Sequence, residues 1–192
     1  MQYPLLNRNL KPAPTHPERI LQFGEGNFLR AFVDWMIHEM NQKAGFDAGV
    51  TVVQPIDRGL VDMLNAQDGL YTVCLTGIKN GQAVQEQTLV DCIQRGINPY
   101  HDFESYLATA HNSELRFIIS NTTEAGIAFD DQDQLNDAPP GSFPAKLTRL
   151  LYERFQAFGG DSAKGLIIIP CELIDRNGDI LRDVVQQYAD LW

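Results

Sequence analysis

The feature that most constrains this chain is a turn with two glycines, which lies between an apolar run and a helical pattern near the start. Residues 19–31 read R-I-L-Q-F-G-E-G-N-F-L-R-A, so the apolar run leads directly into Gly24 and Gly26. From Phe28 to Met40, apolar residues then recur at spacings of three and four. This order predicts a buried strand, a tight turn and an amphipathic helix.

A turn of this kind is suited to bind phosphate. Gly24 permits the tight turn, Gly26 has no Cβ to block a pyrophosphate, and the helix N-terminus offers free N–H groups and a partial positive charge. The dinucleotide-binding fingerprint has a third glycine where this chain has Leu29, and two glycines alone do not identify the ligand. The residues predicted to bind a cofactor here are Ile20, Leu21, Gln22, Phe23, Gly24, Glu25, Gly26, Asn27, Phe28, Leu29, Arg30 and Ala31.

An acidic residue follows the second predicted strand. The β-branched run V-T-V-V-Q at residues 50–54 is typical of a buried parallel strand, and Asp57 lies just beyond it. In dinucleotide-binding domains an acid at this place binds the ribose hydroxyls of adenosine. Asp57 lies farther from the glycines than the usual distance of about 20 residues. The alternative is that Asp57 caps a helix over residues 58–66.

The rest of the chain alternates between predicted strands and helices. Asn80-Gly81 is a strong signal for a hairpin turn, which inserts an antiparallel pair into the alternation. We predict strands at residues 70–79, 82–93, 115–120 and 165–170, and helices at residues 28–43, 100–111, 143–158 and 179–191. The pattern favours the α/β class, with a Rossmann-like, mostly parallel, doubly wound sheet and an inserted β-hairpin.

Three details of burial are also predicted. The strand at residues 165–170 (G-L-I-I-I-P) is continuously apolar, so we expect it to be buried. The helix at residues 143–158 is expected to turn Phe155 inward together with its leucines. The acidic, proline-bearing residues 130–140 are expected to form an exposed loop.

Small polar residues follow the strand at residues 115–120. The loop reads N-T-T-E-A-G at residues 121–126, and ligands of open α/β sheets lie beyond the carboxyl ends of the strands. Thr122 and Thr123 could therefore meet the ribose or the nicotinamide of a dinucleotide. The alternative is a polar loop that caps a helix or a turn.

Composition argues against several classes of protein. The formal net charge of −10 disfavours a broad surface for nucleic acid or for an anionic membrane. The three cysteines and four histidines show no ligand spacing, so we expect reduced thiols and no metal site. The first residues lack the apolar core of a signal peptide, and there is no apolar run of about 18 residues, so we expect a cytoplasmic protein.

Five short segments occur along the chain in a fixed order. They read F-G-E-G-N-F-L-R-A at residues 23–31, Q-D-G-L-Y-T at 67–72, S-N-T-T-E-A-G at 120–126, F-P-A-K-L-T at 143–148 and P-C-E-L-I-D-R-N-G at 170–178. This set resembles the polyol-specific long-chain dehydrogenases, the mannitol dehydrogenase family, over nearly the whole chain. The resemblance implies an NAD-dependent oxidoreductase without a catalytic metal, most similar to the branch that interconverts D-altronate and D-tagaturonate in hexuronate breakdown.

The resemblance also implies that this chain is part of a longer enzyme. The catalytic lysine of the family lies in a K-x-x-x-x-N-x-x-H segment of a helical C-terminal domain, and this sequence contains no such segment. We therefore expect residues 19–192 to be the NAD-binding Rossmann-like domain, after an extended lead-in over residues 1–18. The expected partners are a small sugar-acid substrate and the C-terminal domain of the same protein, and not a nucleic acid or a membrane.

No catalytic residue is assigned in this chain. Family members carry an asparagine in an S-C-D-N segment, where it helps to polarise the carbonyl, but the segment here is P-C-E-L and ends with Leu173. The candidates to assist proton transfer are Glu124, Lys146 and Glu172, and the alternative for the two glutamates is a structural role.

Other functions stay open from the sequence. A nucleoside-cofactor transferase such as a methyltransferase also uses a glycine turn and an acid after the second strand, although the hairpin and the five segments argue against it. A non-catalytic NAD-responsive module would need no second domain. Within the family, the alternatives are oxidoreductases for mannonate and fructuronate or for mannitol and fructose.

Overall fold

A parallel sheet forms the centre of the computed structural model, which describes residues 5–122 and 124–192, apart from the side chains of Lys79, Glu124 and Ala125. Its strands within these ranges are β1 (Glu18–Phe23), β2 (Gly49–Val53), β5 (Ile93–Ile97), β6 (Phe117–Ser120) and β7 (Ile167–Pro170). Their order is β5-β2-β1-β6-β7, so the chain starts at the central strand and builds outward to both sides. An antiparallel hairpin, β3 (Tyr71–Lys79) and β4 (Gln82–Val90), stands apart from this sheet.

Helices cover both faces of the sheet. The α-helices in the described part of the chain are α1 (Asp34–Ala44), α2 (Val61–Ala66), α3 (Phe103–Ala108), α4 (Phe143–Phe158) and α5 (Asn177–Leu191). Alternate residues of β1 separate the two cores, because Ile20 packs in a cluster with residues of α1 and α2, whereas Leu21 packs in a cluster with residues of α3, α4 and α5. The α/β class, the doubly wound sheet and the inserted hairpin are therefore confirmed.

Local signals place the boundaries of α4 where the sequence predicts them. The Ser142 hydroxyl accepts a hydrogen bond from the Ala145 N–H at 3.2 Å, which caps the first turn. Gly159 ends the helix with φ at 59°, a left-handed conformation that glycine adopts at low cost. One predicted contact is wrong: Phe155 is 61% exposed.

Two strands differ from the sequence-based expectation. The strand predicted at residues 82–93 ends at Val90, and Ile93 begins β5, which pairs in parallel with β2. Only Asp91 and Cys92 separate the last strand of the hairpin from the first residue of β5. This connection is too short for the sequence to show where one strand ends and the next begins. The strand predicted to be buried at residues 165–170 is β7, an edge strand of the described sheet whose Ile167 and Ile169 are 44% and 42% exposed.

The helix predicted over residues 28–43 starts with a helical turn at Asn27, continues as a π-helix over Leu29–Val33 and becomes α1 at Asp34. Two other helices begin later than predicted. The helix expected directly after Asp57 begins at Val61, so Asp57 is not its cap. The helix expected from residue 100 begins at Phe103, because the Asp102 carboxylate caps it by accepting the Ser105 N–H at 2.9 Å.

The acidic loop at residues 130–140 is not uniformly exposed. Asp133 is 4% exposed and accepts hydrogen bonds from the Ser142 N–H at 3.1 Å and from the Tyr188 hydroxyl at 3.1 Å. These bonds fasten the loop to the start of α4 and to α5.

Residues 5–17 contain no strand or helix. The Arg8 guanidinium fastens them to the domain by donating to the carbonyl oxygens of Asp68 at 3.2 Å and Ile93 at 3.2 Å. The division between a lead-in over residues 1–18 and a domain over residues 19–192 stays a prediction. Within the described ranges, no helix combines the length and the apolar character needed to cross a membrane.

Candidate nucleotide-binding site

The carboxyl ends of the parallel strands lie at one edge of the sheet. Phe23, the last residue of β1, pairs with Val53 at the end of β2 and with Ser120 at the end of β6. The loops that follow the strands therefore lie side by side along this edge. The fold thus places the glycine turn, the loop of Asp57 and the loop of Thr122 in one row.

Gly24 is required by the folded chain itself. Its φ of 119° lies in a region that residues with a side chain rarely adopt. A Cβ there would meet the Asn121 carbonyl oxygen at 2.9 Å and Leu29 Cδ1 at 3.1 Å. The glycine therefore allows the loops after β1 and β6 to pack closely.

Gly26 is different, because its own surroundings do not require a glycine. It is exposed, its φ lies outside the left-handed region, and a Cβ would meet no described atom within 4 Å. That open space lies directly before the helix that begins at Asn27, where the first N–H groups have no intrahelical partner. The turn therefore fits an anionic group such as a pyrophosphate, since a larger side chain would fill the space such a group needs.

Two side chains from the predicted segment stabilise the turn. Arg30 donates from Nε to the Glu25 carbonyl at 2.8 Å and from Nη2 to Asn27 Oδ1 at 2.8 Å. The Glu25 carboxylate accepts the Leu60 N–H at 3.2 Å, which joins the turn to the loop after β2. Burial raises the pKa of Glu25 above its usual value.

The other predicted residues of this segment divide by exposure. Phe28 is 46% exposed and contacts Phe32 with ring centroids 5.4 Å apart, and Ala31 is also exposed. Five residues have buried side chains, so they can contact a ligand only through backbone atoms or affect it by shaping the turn: Ile20, Leu21, Gln22, Phe23 and Leu29.

A buried carboxyl group behind the turn was missed by the sequence analysis. The Asp34 side chain is fully buried, and its Oδ2 accepts bonds from Gln22 Nε2 and from the Tyr71 hydroxyl, each at 3.3 Å. Its Oδ1 has no partner among the described residues, and burial raises the pKa of this carboxyl to about 7. The available signal was an acid three residues before Ile37 on the apolar face of the helix.

The loop after β2 holds Asp57 at the surface. Its carboxylate is exposed, and its backbone carbonyl accepts a hydrogen bond from Gln54 Nε2 at 2.9 Å. Asn98, which follows β5 and was not predicted, has its Nδ2 at 3.5 Å from the same carbonyl. The ribose-binding role of Asp57 stays a prediction.

The loops after β6 and β7 are joined by Glu172. This glutamate is 4% exposed and accepts hydrogen bonds from the Ser120 hydroxyl at 3.1 Å, the Thr122 N–H at 3.1 Å and the Thr122 hydroxyl at 3.2 Å. Both carboxylate oxygens are engaged, so the geometry favours the structural role. Leu173, the next residue, is 86% exposed.

Two further predicted residues cannot be placed. Thr123 and the side chain of the candidate Glu124 lie outside the described residues. The remaining candidate, Lys146, is fully buried in the first turn of α4. Within the described ranges, no three His, Cys, Asp or Glu side chains gather into a possible metal site.

The fold and the glycine turn define the class of the protein. A sheet of this strand order, wound on both faces and with a glycine turn at the carboxyl end of its central strand, is a Rossmann-type domain. The family described as the mannitol dehydrogenase Rossmann domain matches residues 18–191. The chain belongs to the mannitol dehydrogenase family, which confirms the resemblance seen in its five segments.

Comparison with known proteins adds related sequences and folds. Altronate oxidoreductases of Bacteroides thetaiotaomicron and Bacillus subtilis are 58% and 53% identical to this chain over 97% of its length. The chain spans only 39% of the length of each of these relatives. It is therefore similar to one part of considerably longer proteins.

Two solved structures share the fold. Mannitol 2-dehydrogenase of Pseudomonas fluorescens, in a ternary complex with NAD and D-mannitol, matches with a TM-score of 0.78 at 21% identity, covering 97% of this chain and 42% of that one. A substrate-free D-sorbitol dehydrogenase matches with a TM-score of 0.78 at 19% identity, covering 97% and 43%.

Proposed function

We propose that this chain is the NAD-binding domain of an altronate oxidoreductase, also called tagaturonate reductase. The enzyme would transfer hydride between NAD(H) and the sugar-acid pair D-altronate and D-tagaturonate in hexuronate catabolism. The names of the relatives support the substrate, since altronate oxidoreductases are 53–58% identical to this chain. The single observation that carries cofactor binding is the open space at Gly26 before a helix N-terminus.

Each loop of the carboxyl edge has a role in this proposal. The turn from Gly24 to Asn27 would hold the pyrophosphate through backbone N–H groups, which supply local positive potential in a chain of net charge −10. Asp57 would accept hydrogen bonds from the adenosine ribose, and Thr122 with Thr123 would line the nicotinamide side.

The cofactor supplies hydride transfer, and the domain supplies its placement. Oxidation of a carbinol also requires a general base within hydrogen-bond reach of the hydroxyl proton. Glu172 is held by Ser120 and Thr122, and Lys146 by Tyr100, so neither points to that role. We propose that the base is the family's lysine, contributed by another part of the longer protein, and that this part also contacts the sugar acid.

Gly26→Val tests cofactor binding directly. Its branched side chain would occupy the space before the helix N-terminus, so we expect NAD affinity to fall at least about tenfold by calorimetry, while the unfolding temperature changes little. Gly77→Val is the matched control, because a Cβ at Gly77 also meets no described atom within 4 Å but lies in the hairpin strand β3. Unchanged NAD affinity in Gly26→Val would place the phosphate site elsewhere.

A further inference from the structure

A buried lysine lies at the carboxyl edge of the sheet, near the loops that follow β2 and β5. Lys146 is fully buried, and its Nζ donates hydrogen bonds to the Tyr100 hydroxyl at 3.0 Å and to the Gly141 carbonyl at 2.6 Å. Burial lowers its pKa to about 8, because an ammonium group loses hydration there. This lysine thus joins the start of α4 to the segment after β5.

Tyr100 continues the connection toward the loop that carries Asp57. Its N–H donates to Asn98 Oδ1 at 3.0 Å, and its hydroxyl lies 3.5 Å from the Pro55 carbonyl. Burial, together with the negative charges of Asp57 and Asp133, raises the pKa of Tyr100. The half-buried tyrosine, which belongs to the loop after β5, therefore reaches the loop after β2.

This place is next to the site proposed for the adenosine ribose. If Asp57 accepts the ribose hydroxyls, the adenine base extends from the ribose along the same edge of the sheet. The loops after β2 and β5 then flank the base, and Tyr100 is an aromatic residue of the loop after β5 whose hydroxyl reaches the loop after β2. Aromatic rings commonly form the surface on which a nucleotide base stacks.

We propose that Tyr100 forms one wall of the adenosine pocket and that Lys146 is a positioning residue, which holds the tyrosine and the loops after β2 and β5 in the binding arrangement. The proposal rests on the proposed function, because it takes the domain to bind NAD. It adds two residues, 46 positions apart, that determine how the adenine nucleotide half is held.

Four variants separate the wall from its positioning residue. Tyr100→Ala removes the ring, so we expect the affinities for NAD and ADP to fall about tenfold by calorimetry. Tyr100→Phe and Lys146→Met each remove the hydrogen bond between the two residues, so each should lower both affinities about threefold. The double variant should lose no more than Lys146→Met alone, because Tyr100→Phe removes a hydrogen bond that is already absent when Lys146 is replaced.

Controls distinguish this effect from general loss of stability. Nicotinamide mononucleotide lacks the adenosine half, so its transfer-difference NMR signal should be the same in all four variants. Lys164→Met removes a lysine before β7, at the opposite end of that strand, and should leave NAD and ADP binding unchanged. Tyr100→Phe carries the same test if Lys146→Met does not fold.

The outcomes also separate this inference from the proposed function. If NAD and ADP bind the folded variants as tightly as the wild type, Lys146 and Tyr100 have a structural role only, and the inference is wrong. Equal loss of nicotinamide mononucleotide binding would also overturn it, because the defect would not be confined to the adenosine half. If the wild-type chain binds no NAD, both proposals fail together.

Discussion

Replacing Asp34 with asparagine is expected to change the free energy of unfolding by an amount that depends on pH. The carboxyl is fully buried behind the glycine turn, and its pKa rises from 3.8 to about 7 because burial disfavours the charged form. When folding raises the pKa of an acid, that acid costs the folded state no stability at pH values below its pKa in the unfolded chain. Stability is then lost as the pH rises toward the folded pKa, so the relevant window is from about pH 4 to pH 7.

The size of the effect follows from the two pKa values. A rise from 3.8 to about 7 corresponds to about 4 kcal/mol of lost stability above the window, and about 3 kcal/mol of this loss falls between pH 5 and pH 8.5. Asparagine retains an oxygen to accept the bonds from Gln22 and Tyr71, but it places an amide N–H₂ where Oδ1 has no described partner. That group costs about 1–3 kcal/mol at every pH.

The prediction therefore concerns how the effect of the substitution on the free energy of unfolding differs between two pH values. Relative to the wild type, Asp34→Asn should gain about 3 kcal/mol more unfolding free energy at pH 8.5 than at pH 5, because the cost of the amide cancels. Urea unfolding followed by the fluorescence of the neighbouring Trp35, which packs against the same core, measures both values.

Asp102→Asn is the matched control for this experiment. Hydrogen bonds from Ser105 lower the pKa of Asp102, so the carboxylate is charged at both pH values, and asparagine can still cap the helix. Its effect on stability should therefore be equal at the two pH values. If Asp34→Asn also behaves in this way, the carboxyl of Asp34 is not held neutral by the fold, and the reasoning is refuted.

Two further predictions concern the cofactor and the reaction. The wild-type chain should bind NAD more tightly than NADP, because the Asp57 carboxylate would repel a 2′-phosphate, and Asp57→Ala should reduce this preference in a titration of both cofactors. Tighter wild-type binding of NADP, with Arg58 receiving the phosphate, would contradict it. The isolated chain should form no detectable NADH from D-altronate even when NAD is bound, because loss of general base catalysis alone lowers rates about 10²–10⁴-fold. The longer protein, assayed with D-altronate, D-mannonate and D-mannitol, is the comparison, and turnover by residues 1–192 would make Glu124, Lys146 and Glu172 the first residues to replace.

The parts of the fold that were predictable depend on neighbours in the chain. The strand, turn and helix around Gly24 follow from an apolar run, two glycines and apolar residues that recur at spacings of three and four. The bounds of α4 follow from Ser142 and Gly159, which cap its two ends through contacts within a few residues. Such signals act locally, so the sequence shows them directly.

The parts that were mispredicted depend on which strands pair. Residues 82–93 read as one strand in the sequence, yet Val90 ends a hairpin strand and Ile93 begins a strand of the central sheet. The apolar strand β7 was expected to be buried, but its place at the edge of the described sheet leaves alternate residues exposed. Local pattern cannot distinguish these cases, because pairing partners come from distant parts of the chain.

The sequence by itself determined the class of the domain, the glycine turn that suits a phosphate and the family to which the chain belongs. Only the tertiary structure showed that Asp34 lies buried against Gln22 and Tyr71, and that Lys146 reaches Tyr100 across 46 residues. These contacts depend on the order of the strands and on which helix covers which face. The pKa values of such groups depend on burial and nearby charge, and both arise only when distant segments pack together.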